Sequence, residues 1–166
     1  HTHSNWLASD YGTDAKTLVL RAGGPTNTYG DPVQPDSSVD GWLLEEGAYY
    51  LKDAVTIDKP IVIRKKVTIC LNGQTLESSA KGQPVFLVEA DSTLTLTDCK
   101  GNTGKGKVKH TGDGSGSGVE VNGGTFNMYG GTITGNTADT YGGGVYVSGA
   151  HSKFNMYGGT ISGNTA

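Results

Sequence analysis

The sequence has few charged residues, few aromatic residues and no long hydrophobic run. Charged side chains make up 17% of the 166 residues and aromatic side chains 8%, whereas about a quarter of the residues of a typical soluble protein are charged. No apolar run reaches the roughly 18 residues that a membrane-spanning helix needs. The net charge is −3 at pH 7, which gives no bulk attraction to nucleic acid or anionic lipid. We therefore expect neither membrane insertion nor nucleic-acid binding.

Glycine is abundant instead, and it recurs within a repeated motif. The chain contains 27 glycines, about twice the usual share of roughly 7%. Residues 126–133, with the sequence FNMYGGTI, return unchanged at residues 154–161, an offset of 28. A period of roughly 20 to 50 residues is typical of solenoids, in which each unit buries its apolar face only by stacking on a neighbour.

Each copy of the motif reads as short strands joined by glycine-rich corners. Phe126 and Met128 alternate with Asn127, which is the period of a half-buried strand. Three such strands, at 119–121, 126–128 and 132–134, are separated by glycine-rich bends. Three strands and three bends in roughly 28 residues describe one rung of a parallel β-helix. The sequence therefore predicts an all-β solenoid with three short strands and roughly 25 to 33 residues per rung.

The rungs align into columns of inward-facing apolar residues. Because a shift by one residue would turn every side chain to the other face, this alignment predicts the strand register. We expect Met128 and Met156 to stack in the interior. The four columns are Ile63, Val88, Val121, Val147; Val67, Leu94, Phe126, Phe154; Ile69, Leu96, Met128, Met156; and Leu76, Val108, Ile133, Ile161.

The predicted organisation is an irregular lead-in at 1–40, which acts as a cap, followed by the β-helix at 41–166. Pro25, Pro32 and Pro35 make most of the lead-in turn-like, with one candidate strand at 17–20. The chain stops at Ala166, where the next rung would start. We expect a segment of a longer protein, truncated at its C-terminal end, where further rungs or a neighbouring subunit cover the open strand edges.

The only two cysteines, Cys70 and Cys99, leave two alternatives. On adjacent rungs they could lie close enough for a disulfide, which would contribute about 3.5 kcal/mol in the chain-entropy account. Otherwise they are two buried thiols that act as small hydrophobes. No pair of cysteine or histidine residues has the spacing of a metal site.

Four segments resemble a known group of proteins: ICLNGQTL at 69–76, LTLTDC at 94–99, GVYV at 144–147 and FNMYGGTISGNTA at 154–166. They are similar to the repeat-rich, right-handed parallel β-helix cell-surface proteins of Gram-positive gut Clostridia and their relatives, over residues 42–166. The resemblance implies secretion or a cell-surface location, anchoring by regions outside this chain, and contact with glycans or host surface proteins. That group is mostly uncharacterised and assigns no catalytic residue.

Three functions follow from the sequence, and the first two concern the outer surface. The favoured one is a structural or adhesive module of a larger bacterial surface protein. The second is glycan binding, with aromatic rings that stack on sugars and with amide and carboxylate groups that bind hydroxyls. Its candidate residues are Tyr129, Tyr157, Tyr146, Asn127, Asn155 and Glu120. The alternative for these residues is a set of cross-strand ladders that only join the rungs.

The third function is a polysaccharide lyase or glycoside hydrolase, which requires carboxylates that face one cleft. In the most regular rungs the acids are Glu120 and Asp139, and we expect them on different faces. Asp91 and Asp98 could hold calcium, although solvated bends explain them equally. The sequence therefore leans against an enzyme, assigns no catalytic residue, metal or cofactor, and leaves calcium unsupported.

Two groups of basic residues complete the sequence analysis. One is the run at 64–66, and the other combines Lys105, Lys107 and Lys109 with His110. They favour solubility and protection of strand edges over a patch for an anionic glycan.

Overall fold

The computed structural model describes residues 41–98 and 105–166, together with the backbone of two earlier strands. The described residues form 17 strands and no helix, so none of them belongs to a helix that could span a membrane. The strands are β1 (Lys16–Arg21), β2 (Gly24–Thr26), β3 (Trp42–Leu43), β4 (Gly47–Leu51), β5 (Val55–Ile57), β6 (Ile61–Ile63), β7 (Lys66–Cys70), β8 (Thr75–Ser78), β9 (Phe86–Val88), β10 (Thr93–Thr97), β11 (Lys107–His110), β12 (Val119–Asn122), β13 (Thr125–Met128), β14 (Thr132–Ile133), β15 (Val145–Ser148), β16 (Lys153–Met156) and β17 (Thr160–Ile161).

The strands form three sheets that the chain visits in turn. Sheet I has the order β16-β13-β10-β7-β4-β1-β2, sheet II the order β17-β14-β11-β8-β5, and sheet III the order β15-β12-β9-β6-β3. From β3 to β14, every strand pairs in parallel with the strand three places further along the chain. Because each turn of the chain contributes one strand to each sheet, the protein is an all-β parallel β-helix, as predicted.

The predicted register is confirmed in all four columns. Phe126 pairs with Leu94 and with Phe154, and Met128 pairs with Leu96 and with Met156. The columns on the other two sheets also follow the predicted alignment. All their members except Val147 and Met156 belong to one continuous apolar core along the axis or pack against it.

The last rung differs from the prediction in its exposure. Met128 is completely buried, whereas Met156 is 47% exposed although it occupies the same column. Val147 is likewise exposed. Among the described residues no rung stacks on β15, β16 and β17. The end of the apolar core at this rung therefore faces solvent. The prediction that both methionines are buried is therefore wrong for Met156.

Glycine closes the corner between sheets II and III because successive rungs approach each other closely there. Gly118 and Gly144 occupy equivalent positions, since they precede the paired residues Val119 and Val145. A Cβ atom on Gly118 would lie 2.5 Å from Cγ2 of Ile133, and one on Gly144 would lie 2.7 Å from Cγ2 of Ile161. Real Cβ atoms do not approach so closely, so any other residue would force the rungs apart.

The lead-in contributes a strand to the β-helix. The backbone of β1 pairs in parallel with β4, which confirms the strand predicted at 17–20. Residues 1–15, 22–23 and 27–40 lie outside the described part of the chain, as does Cys99. Cys70 is buried at the end of β7 and is disulfide-bonded; its pairing with Cys99 stays a prediction.

Candidate functional site

The six predicted ligand-binding residues lie on two different sheets. Asn127 and Asn155 pair on sheet I, where each is followed two residues later by Tyr129 or Tyr157. Glu120 and Tyr146 lie opposite each other on β12 and β15 of sheet III. The structure therefore offers two separate surfaces, and no single sheet face carries all six side chains.

The surface on sheet I is a ladder. Nδ2 of Asn155 donates a hydrogen bond to Oδ1 of Asn127 at 2.9 Å. The rings of Tyr129 and Tyr157 stack with their centroids 4.7 Å apart and their planes 17° apart. The asparagine pair thus joins two rungs through its polar atoms, and the tyrosine pair joins them through one face of each ring. This arrangement is the cross-strand ladder that was the alternative to a ligand-binding site. The stacking covers one face of each ring, while Tyr157 stays 64% exposed and Tyr129 41% exposed.

The second surface is a cavity at the corner between sheets II and III, which we call the corner cavity. Its volume is about 270 Å³. It is built by the segments that lead into β9, β12 and β15 on three successive rungs, with side chains of sheet III at one side. Backbone hydrogen bonds from Gln83 to Ser115 and from Gly116 to Thr137 hold these segments together. The residues that give the cavity its chemistry are Gln83, Glu120, Asp139, Thr140, Tyr141 and Tyr146.

Glu120 and Asp139 line the same cavity, so the expectation that they lie on different faces is wrong. Glu120 points outward from β12. Asp139 belongs to the segment between β14 and β15, and this segment is held by a backbone hydrogen bond from Ala138 to Thr165 on the next rung. Strand alternation determines the direction of Glu120 but gives no information about the path of a segment that is not a strand.

The aromatic part of the cavity consists of two stacked rings. The ring centroids of Tyr141 and Tyr146 lie 5.3 Å apart and the ring planes differ by 14°. Tyr141 is largely exposed, whereas Tyr146 is half-buried. The sequence analysis selected Tyr146 from its place on a strand and missed Tyr141, because the residues around Tyr141 do not repeat.

Glu120 has an unusual electrostatic environment for a surface carboxylate. In register it lies between Leu87 on β9 and Tyr146 on β15. Burial raises the pKa of its carboxyl group above the ordinary value, because the apolar neighbours disfavour the charged form. No lysine, arginine or histidine lines the cavity among the residues that the structure describes.

This environment gives a prediction for the pH dependence of stability. A carboxyl group whose pKa is raised in the folded state contributes stability below its unfolded pKa, and the contribution is lost as the pH rises through the folded pKa. We expect Glu120→Gln to unfold at a slightly higher urea concentration than the wild type at pH 7, and this gain to disappear at about pH 4. Glu46→Gln, at an exposed position, is the matched control and should show no gain. A loss of stability in Glu120→Gln at pH 7 would contradict this assignment.

A buried polar network supports the wall of the cavity. The ring of His110 contacts Oδ1 of Asn136 through Nδ1 and the carbonyl oxygen of Gln83 through Nε2, both at 2.9 Å. Asn136 is completely buried and donates through Nδ2 to Oδ1 of Asn164 at 2.9 Å. Asn136 and Asn164 thus form an amide ladder inside the corner. His110 connects this ladder to the backbone of the cavity wall at Gln83.

His110 was grouped in the sequence with exposed lysines, and this interpretation is wrong. Its side chain is only 2% exposed. The signal was present in the alternation, because His110 lies two residues after Val108 on β11 and therefore shares the inward face. In the other basic group, Lys65 pairs with Glu45 at 3.0 Å and Arg64 pairs with Glu89.

The calcium hypothesis gains no donor set from the described residues. Residues 41–98 and 105–166 contain no group of three or more histidine, cysteine, aspartate or glutamate side chains placed to hold a metal ion. The oxygens of Asp98 instead accept hydrogen bonds from the backbone of Gly73 at 2.7 Å and of Gly106 at 2.9 Å. Asp98 thus fastens a corner of the β-helix.

The chain was also compared with known proteins. No protein-family model matches it, and no curated protein or solved structure matches it either.

Proposed function

We propose that this chain is a structural or adhesive module of a larger extracellular bacterial surface protein. The observation that carries the proposal is that the repeated side chains contact their own copies on the next rung. Asn127 with Asn155, Tyr129 with Tyr157, and Asn136 with Asn164 each join one rung to the next. A rung that binds its own copy builds a rod whose length grows by about 4.8 Å per rung, which suits a module that displays a binding surface away from a cell.

The state of Cys70 supports the extracellular part of this proposal. Its sulfur is disulfide-bonded, and disulfides persist mainly in oxidising environments outside the cytoplasm. The test is antibody labelling of intact bacteria that express the full-length protein, together with alkylation of free thiols in the isolated protein under denaturing conditions. We expect labelling without permeabilisation and no alkylated cysteine. Labelling only after permeabilisation would contradict the proposal.

Glycan binding is the second candidate, and the corner cavity is the observation that favours it. The cavity combines two aromatic rings with two carboxylates, and small-ligand sites typically pair apolar or aromatic walls with a few placed polar groups. The tyrosines of sheet I also stack on each other, as Tyr141 and Tyr146 do in the cavity, but the paired positions beside them carry asparagine and not carboxylates. We therefore place the candidate site at Tyr146 and Glu120.

An oligosaccharide array tests this candidate. We expect the wild type to bind at least one glycan, Tyr146→Ala to lose the binding, and Tyr129→Ala to keep it. Tyr129 is the matched control because it is likewise a stacked tyrosine at the surface but belongs to the ladder on sheet I. Loss in Tyr129→Ala alone would move the site to the ladder, and no binding by the wild type would remove the candidate.

A further inference from the structure

The two carboxylates of the corner cavity lack a positive partner. Neither Glu120 nor Asp139 makes a side-chain hydrogen bond or ion pair with any residue that the structure describes. By contrast, Glu89, directly after β9, forms an ion pair with Arg64. Glu120 is partly buried, whereas Asp139 is exposed. A partly buried carboxylate without a partner, such as that of Glu120, is costly, and a bound cation would remove this cost.

The aromatic rings add a second and independent preference for positive charge. The faces of Tyr141 and Tyr146 carry the negative part of the ring quadrupole, which attracts cations, most strongly where water is excluded. The two rings are nearly parallel and stack on each other. Tyr146, which is half-buried, thus packs against Tyr141 and lies beside Glu120. Carboxylates and ring faces in one cavity favour a ligand that has both an ammonium group and an apolar face.

The size of the cavity argues against a bare metal ion. Its volume of about 270 Å³ is about nine times the roughly 30 Å³ that one water molecule occupies in the liquid. The described residues also lack a group of three metal-binding side chains. A compact organic cation fits the volume, and a pyranose ring with an amino substituent supplies both the charge and a face for stacking.

We propose that the corner cavity binds the free amino group of an unacetylated amino-sugar residue in a glycan, with Glu120 and Asp139 as the partners of the ammonium and Tyr146 beside the sugar ring. This inference rests on the proposed glycan-binding function and deepens it by naming the substrate class. The exposed tyrosines of sheet I, Tyr129 and Tyr157, are different in this respect. The paired residues beside them in the ladder are Asn127 and Asn155, which are not carboxylates.

The test compares three trisaccharides with the same linkage, measured by isothermal titration calorimetry. They are the β-1,4-linked trimers of glucosamine, of N-acetylglucosamine and of glucose, which differ only at the amino-bearing carbon. We expect the glucosamine trimer to bind about tenfold or more tightly than either neutral trimer. Glu120→Gln and Asp139→Asn should each remove most of this preference, whereas Glu46→Gln, at an exposed position outside the cavity, should leave it intact.

The outcomes separate this inference from the function on which it rests. Equal binding of all three trimers, or binding of other glycans on the array but not of the glucosamine trimer, would overturn the inference and leave glycan binding in place. An equal effect of Glu46→Gln would show non-specific attraction and would also overturn it. Equally tight binding of Nα-acetyl-lysine methylamide would assign the cavity to a lysine side chain instead. Circular dichroism of each variant verifies that a lost preference is not lost folding.

Discussion

Replacing Phe126 with alanine is expected to lower the free energy of unfolding by about 3–5 kcal/mol. Phe126 is completely buried, and its ring stacks on that of Phe154 with the centroids 5.1 Å apart. On the other side it pairs with Leu94. Its removal therefore leaves a cavity between two rungs that the surrounding strands cannot close. Urea unfolding followed by circular dichroism measures the loss.

Phe154→Ala is the matched control for this prediction. It is the same substitution in the same column, but Phe154 is only partly buried because its rung is the last one described. The loss should be clearly smaller than for Phe126→Ala. Equal losses in the two variants would contradict the order of the rungs along the core.

Replacing Asn136 with leucine is expected to cost at least about 3 kcal/mol, although the two side chains have the same number and branching of heavy atoms. Nδ2 of Asn136 donates to the carbonyl oxygens of Thr134 and Val108, at 3.1 and 3.3 Å, as well as to Asn164. Its Oδ1 faces Nδ1 of His110. Leucine would remove all four of these hydrogen bonds. The carbonyl oxygen of Val108 and Oδ1 of Asn164 would each keep one backbone donor, but Nδ1 of His110 and the carbonyl oxygen of Thr134 would lose this partner, and an unsatisfied buried group costs about 1–3 kcal/mol. Thermal unfolding together with urea unfolding measures the effect.

The control is the same substitution at the equivalent position of the next rung. Asn164 also donates to two carbonyl oxygens, those of Ile133 and Ser162. These groups are closer to solvent, so water can replace part of the lost hydrogen bonding. Asn164→Leu should therefore cost less than Asn136→Leu. A larger cost at Asn164 would argue that the amide ladder is not the inner support of the corner.

The sequence predicts the core of this protein well because the repeat and the strand period constrain each other. Phe126, Met128 and Ile133 recur at a fixed offset and alternate with polar residues, so one register alone keeps every column apolar. Asn136 and Asn164 also recur at this offset, and their side chains form the amide ladder that stacked equivalent positions favour. The exposure of Met156 was missed, because the repeat identifies the column but not whether a further rung covers it.

The candidate site was harder to predict because it lies where the repeat breaks. At the position of Glu120 the neighbouring rungs carry Leu87 and Tyr146, so no ladder forms there. Asp139 and Tyr141 belong to a connecting segment whose path depends on close glycine contacts and on backbone hydrogen bonds between rungs. The positions of Asp139 and Tyr141 within this segment therefore have no strand period from which to predict them. In this β-helix the repeated residues build the rod, and we expect the non-repeated ones to determine what it binds.

The most direct test of the stacked core uses the two methionines of the chain, Met128 and Met156. Selective ¹³C labelling of their methyl groups gives two NMR signals. Because the two residues are paired in register and only Met156 is exposed, we predict a nuclear Overhauser contact between the methyl groups and broadening of the Met156 signal alone by a soluble paramagnetic agent. Two equally broadened signals without a contact between them would contradict the parallel β-helix described here.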